Sequence, residues 1–334
     1  MATTPEHEPK DAVTVQNIAP NSGSDDADSL NGNSVGFTYH DRMDMRRMGK
    51  KQELMRNFRT FSSIAFTTCV MGTWEILLTA NTQGLIAGGS AGLFWSLVWA
   101  YAGQAFVILS LAEMASIAPT AGGQYHWVSE FAPRKHQRLL SYTSGWLSTL
   151  AWQSFVAVDS FLVGEVILGM IVVNDQSFVA QRWQATLLII ATVLGLAAVN
   201  FFAGKRLALA ENIFVAFHLP EEISNAGLVV PKSMVWSFFL NIPMTFGLLI
   251  AYLFCIGDVS DAISSPTGYP FIYVFQNATG SVAGTTGLTV VILLLLIVIA
   301  ISSYASTSRQ LFAFARDNGM PFSNWLARVG ARES

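Results

Sequence analysis

Hydrophobic positions along this chain gather into long unbroken runs rather than into the two- or 3.6-residue alternation of half-buried elements. Crossing a hydrocarbon core of about 30 Å takes roughly 20 residues at 1.5 Å each. Runs of that length lie near 60–83, 92–117, 142–173, 185–203, 233–256 and 285–307. Each predicts a transmembrane helix. Between the fourth and fifth lies LALAENIFVAFHL (207–219), interrupted by Glu211 and His218 and closed by Pro220. It reaches only about 20 Å as a helix, which predicts an interfacial or re-entrant segment. Residues 1–57 are polar and rich in Asn, Ser, Gly and Asp. Such a stretch has too few apolar side chains to offset the entropy of ordering, so a disordered cytoplasmic tail is predicted. No charged stretch followed by a short apolar one opens the chain, so the first span is expected to serve as the targeting signal.

Composition strengthens the membrane reading. The chain is 52% hydrophobic and 12% charged, with a mean hydropathy of +0.43, against roughly 25% charged residues in soluble domains. The predicted fold is all-α, a polytopic membrane helix bundle over residues 58–334, with lipid as its main solvent. A net charge of -3 and the lack of a basic stripe interleaved with aromatics remove nucleic acid as a partner. Cys69 and Cys255 both sit in apolar runs, which argues against a disulfide framework or a paired-thiol metal site and reads as small buried residues.

Orientation follows from the basic residues, which concentrate in cytoplasmic loops near span ends. With the tail inside and six crossings, the cytoplasmic side collects the seven basic residues between 42 and 59, then Arg134, Lys135, Arg138, Lys205, Arg206, Lys232, Arg316, Arg328 and Arg332. Only Arg182 falls outside, beside the acidic Asp175, Asp258 and Asp261. Treating 207–219 as a seventh crossing would move Lys232 outside and reverse all that follows. The sequon at Asn277 falls in the last external loop, where it is a glycosylation candidate.

Enzyme signatures are missing from the sequence: there are no His-rich metal boxes, no HExxH, no GxSxG and no P-loop. No cofactor or metal is implied. Function then rests on polar groups inside spans, which are costly in lipid and usually face a cavity or a partner. In the first span, Gly72 precedes Thr73, Trp74 and Glu75 near mid-membrane, the pattern of a helix break whose freed backbone groups can hold the charged ends of a small substrate. A packed bundle in which Glu75 simply pairs with a polar neighbour gives the same five residues. Along the third span Thr149, Gln153, Ala157, Ser160 and Gly164 share one face, which suits either a substrate path or close helix packing. Asp159 and Glu165 lie off that face. In the last span Ser302, Ser306 and Arg309 share a face; the serines either coordinate a cation or amine, or bond their own helix carbonyls.

These residues resemble the fungal amino acid, GABA and choline permeases of the amino acid-polyamine-organocation superfamily. The resemblance rests on MGKKQELMRNF (48–58), Thr73-Trp74-Glu75, LAEMAS (111–116) and PTAGGQYHW (119–127). It continues through Glu221, Glu222, Asn225, Val230-Pro231, TGYPFIY (267–273), ASTSRQLFAFARD (305–317) and GMPF (319–322). It implies a partial LeuT-type fold, with broken first and sixth helices around a substrate, and secondary transport of amino acids or related amines by alternating access. Coupling to a proton is favoured over sodium. By the same resemblance Thr73, Trp74, Glu75, Gln153 and Ser160 bind substrate, Ser302, Ser303 and Ser306 serve the coupling ion, and Tyr125 and Trp127 form scaffold or gate. The plasma or vacuolar membrane is the implied location. The chain departs from the family where His218-Leu219 runs into Pro220-Glu221: the end of the family's fifth helix and nearly all of its sixth are absent, and so are its last four helices. That departure carries the alternative, a non-transporting fragment that acts only by associating with a full-length relative or is degraded; a homo-oligomer is a separate expected association.

Overall fold

The structure, a computed structural model, describes Ile64, Thr67, Thr68 and residues 70–118, 120, 122–175, 177–214 and 226–326. The expected tail over 1–57, Cys69, the motif at 48–58 and residues 215–219 lie outside the described residues. The described chain is helical without strands: α1 (Thr73–Ala80), α2 (Thr82–Ile117), α3 (Gln124–Phe131), α4 (Gln137–Asn174) and α5 (Arg182–Phe214) are followed by α6 (Ala226–Cys255), α7 (Val259–Ile263), α8 (Pro270–Thr279), α9 (Val282–Arg316) and α10 (Ser323–Leu326). Five of these, α2, α4, α5, α6 and α9, are long and apolar enough to cross a membrane. They match the second to sixth predicted spans. The chain is thus a multi-pass membrane protein.

Two differences from the sequence reading concern α5 and α6. Residues 207–214 continue α5 instead of starting a separate interfacial segment, because nothing between Asn200 and Phe214 breaks a helix; the sequence there holds one Gly and no Pro. Cys255 is exposed, not buried. It ends α6 beside the equally outward Phe254, on the face turned away from the buried Tyr252 and Ile256.

Packing orders the bundle. The most extensive helix pair is α4 with α9, followed by α2 with α6. The pairs α4 with α5 and α3 with α4 also make broad contact, whereas the spanning parts of α2 and α5 keep most side chains outward. The main apolar cluster joins Leu78 of α1, Leu162, Val163 and Val166 of α4, Leu249 of α6, Phe271 and Ile272 of α8, and Leu296 and Ile299 of α9. The TGYPFIY stretch thereby works as a plug: Phe271 and Ile272 are fully buried, and Gly169 of α4 leaves room for Ile272 and the Thr267 carbonyl to close in at positions a Cβ would crowd to 2.9 and 3.1 Å.

At the other end of the α4–α9 pair the Phe314 ring fills a slot floored by Gly145 and Gly319; a Cβ at either would overlap it. Tyr125 and Trp146 pack around the same ring, with centroids 5.3 and 6.0 Å away. Overpacking of this kind costs about 1–3 kcal/mol. Gly145→Ala is therefore expected to lower the thermal unfolding midpoint of the purified protein, and Phe314→Leu in the same chain to restore part of it. Equal midpoints for wild type and Gly145→Ala would show that the slot tolerates a methyl group.

Candidate functional site

The first helix is interrupted where the sequence reading expects it. Val70 and Met71 are helical, Gly72 turns into the left-handed region (φ 45, ψ 36), and α1 begins at Thr73 without a side-chain cap. Only glycine takes this conformation at no steric cost. The Gly72 carbonyl still accepts from the Ile76 amide at 2.9 Å, so the helix resumes at once. A Cβ on Gly72 would come within 2.5 Å of Ile299 Cδ1, which sets the break directly against α9.

Three side chains follow the break and take different surroundings. The Thr73 hydroxyl is buried, with the Tyr101 hydroxyl nearby. Trp74 packs against the main apolar cluster. Glu75 is 9% exposed and forms no ion pair among the described residues. An uncompensated acid at this depth is the kind of group that marks a cavity or ion path.

Facing α1 and α2 is a polar stripe on α6 that the sequence reading missed. Ser233, Ser237, Asn241 and Thr245 recur every fourth residue, and all four are buried. Asn241 Nδ2 donates to the Ser237 carbonyl at 2.8 Å and lies 3.8 Å from Met71 Sδ, one residue before the break. The Tyr101 hydroxyl of α2 donates to Thr245 Oγ1 at 2.9 Å, and Tyr252 Oη lies 3.5 Å from Asn81 Oδ1. The signal was present as a spacing of four in the fifth predicted span. It was hidden because span detection scores such a run only for its mean apolarity.

On the opposite side of the break stands α9. Ser302 and Ser303 are buried and Ser306 half-buried; Ser303 and Ser306 donate to the Ile299 and Ser302 carbonyls at 2.8 and 3.0 Å. Arg309 is exposed, so the expected Ser302–Ser306–Arg309 face is not a single lining surface. On α4, Thr149 and Ser160 are buried and donate to the Gly145 and Val156 carbonyls at 2.9 and 2.8 Å. Gln153 and Ala157, from the same expected stripe, are exposed. The buried face of α4 centres instead on Val156, Asp159, Ser160 and Val163, turned toward α9. The structure therefore buries Glu75, Ser160, Ser302 and Ser303 together with the Thr73 hydroxyl, and leaves Gln153 outside.

The PTAGGQYHW motif ties helix ends together. Trp127 is buried and its Nε1 donates to the Ala118 carbonyl at 2.7 Å, pinning α3 to the end of α2. The Tyr125 hydroxyl donates to Asp317 at 2.9 Å, tying α3 to the end of α9. Burial, with the Asp317 carboxylate beside it, holds that hydroxyl protonated well above the ordinary tyrosine range. Asn277 lies exposed in the last turn of α8, while the Thr279 hydroxyl of its sequon donates to the Phe275 carbonyl at 2.8 Å.

Comparison with known proteins shows the family. The family model described as amino acid permease matches residues 58–220 and again 215–334. The chain belongs to the amino acid permease family. Among the permease's relatives is a protein of Macrophomina phaseolina named a putative amino acid/polyamine transporter, 32% identical, with 80% of this chain and 72% of that protein covered. The GABA-specific permease of Saccharomyces cerevisiae is 24% identical over 89% of this chain and 63% of its own length. The choline transporter of the same yeast is 21% identical over 83% and 60%. This permease thus spans less than two thirds of the length of both yeast relatives. No solved structure matches the chain. The family match falls into two stretches that share residues 215–220, the place where the sequence runs from His218-Leu219 into Pro220-Glu221.

Proposed function

We propose that these helices carry out secondary transport of amino acids or small amines by alternating access, driven by a proton gradient in preference to sodium. The observation that carries the reading is the left-handed break at Gly72, followed by the buried Thr73 hydroxyl and the buried acid Glu75 on a segment packed against α6 and α9. Breaks of this kind at the midplane supply backbone groups for a substrate's charged ends. Thr73, Trp74 and Glu75 are proposed as substrate contacts, with Ser160 as wall and Ser302, Ser303 and Ser306 near the coupling proton. The relatives' names, an amino acid/polyamine transporter, a GABA-specific permease and a choline transporter, support an amine-bearing substrate. Uptake of labelled GABA, choline and amino acids by a full-length relative carrying this chain's residues 58–83 tests the reading. Gly72→Ala in that protein is expected to abolish uptake at unchanged surface expression, and normal uptake would remove the break from the mechanism.

A second reading is favoured by the two-part family match at 215–220: the 334-residue polypeptide acts only in association with a full-length relative. In either case the Lys and Arg distribution supports six crossings with both termini cytoplasmic. In a background without Cys69 and Cys255, cysteines at Val179 and Ser260, both exposed, are expected to react with an impermeant thiol reagent added outside. A cysteine at the exposed His136 is expected to react only after permeabilisation. The reverse pattern would invert the topology.

A further inference from the structure

Asp159 is the most deeply buried acid of the described chain, 1% exposed at the middle of α4. Both of its carboxyl oxygens are shut off from solvent and neither has a hydrogen-bond partner. It stands across from Ser303 of α9, whose hydroxyl proton already goes to the Ile299 carbonyl at 2.8 Å. An ionised Asp159 would hold two buried acceptor oxygens without a hydrogen-bond donor. Leaving a charge so placed costs several kcal/mol, more than a packed helix pair of this kind sustains.

Among the described residues no cation compensates it. On α5 there is no titratable side chain between residues 183 and 202, and on α9 Tyr304 is the sole one before the exposed Arg309. His126 and Glu130 of α3 belong to the cytoplasmic end of α4, where the Ser141 hydroxyl donates to the Tyr125 carbonyl. Glu165, half-buried further along α4, and Glu75 of α1 are themselves acids. A proton is the one cation that needs no cavity.

We propose that Asp159 is a proton-binding carboxyl, held as the neutral acid in this conformation beside Ser303. Protonation consumes one proton from water and neutralises the carboxylate; release returns it when the α4–α9 contact opens. Ser303 lies one turn from Ile299, and Ile299 abuts the break at Gly72, so movement of the broken helix against α9 would expose the same contact that hides the proton. This extends the proton-driven reading above by giving it a residue on the third predicted span that neither the family resemblance nor the polar stripe singles out.

Infrared spectroscopy of the purified 334-residue chain in lipid nanodiscs tests it directly. A deuterium-sensitive stretch of a protonated, buried carboxyl is expected at neutral pH in wild type, lost in Asp159→Asn and kept in Glu75→Gln. Ser303→Ala is expected to shift the band as the polar group beside the carboxyl is removed. Asp159→Glu, which keeps the acid, is expected to move the band without abolishing it, and it guards against a loss caused by misfolding. A band unchanged in Asp159→Asn would overturn the assignment. So would a band abolished by sodium but not by potassium, since the site would then belong to a metal ion. The readout needs no transport: if the band is present while a full-length relative takes up substrate without a proton gradient, the site stands and proton coupling falls.

Discussion

Glu75→Gln in a full-length relative carrying residues 58–83 of this chain is expected to reduce uptake at least about 30-fold. Removing one charge from a desolvated site costs about 2 kcal/mol or more, and each 1.36 kcal/mol is about tenfold in rate. The substitution keeps the size and hydrogen-bonding reach of the side chain, so the loss reads the charge and not the packing. Glu75 is buried one turn beyond the Gly72 break, on the segment that abuts both α6 and α9. Nothing charged among the described residues answers it, which leaves a substrate amine or a proton as its partner. Uptake of labelled amine at matched surface expression, measured across external pH, is the check. Normal rates with unchanged pH dependence would make Glu75 a packing residue.

The 334-residue polypeptide alone, reconstituted in proteoliposomes with an inward proton gradient, is expected to accumulate no labelled amino acid, GABA or choline above empty vesicles. Alternating access moves one structural repeat against the other around a midplane site. By resemblance, the partner of the broken first helix would fall at the junction near 215–220, where the two family matches meet. What the chain does supply is incomplete as a surface: Gln153 faces outward in the middle of α4, and a polar side chain turned to lipid without a partner is unfavourable. Co-reconstitution with a full-length relative provides the contrast. Saturable accumulation by the chain alone would show that copies of it complete one another.

Much of this was legible in the residues because membrane helices announce themselves by length and apolarity alone. Five predicted spans became α2, α4, α5, α6 and α9, and the Gly72 break could be read because a glycine ahead of a mid-span acid has few other uses. The site was less legible. Thr149, Gln153, Ala157, Ser160 and Gly164 share a face by helical geometry, but geometry does not say which way that face turns. Packing against α9 turned Val156, Asp159 and Val163 inward and left Gln153 and Ala157 outside. Asp159 had been set aside for lying off the stripe; it became the most isolated acid of the described chain. The α6 polar stripe, spaced by four, was invisible to a scan of mean hydropathy, and it acquired meaning only when Asn241 and Thr245 met Met71 and Tyr101.

The sequence by itself determined that the chain is a membrane helix bundle of the permease family, where its spans run and where the first helix breaks. Those properties depend on local composition and on the need to satisfy backbone hydrogen bonds within each segment, which lipid imposes on every helix separately. Tertiary structure alone decided which polar groups are satisfied and which are stranded. That depends on helix rotation and on contacts between residues far apart in the chain, such as Ser303 with Asp159 and Gly72 with Ile299. Without a hydrophobic driving force between helices in lipid, those rotations are set by small residues and shape, as at Gly145 around Phe314.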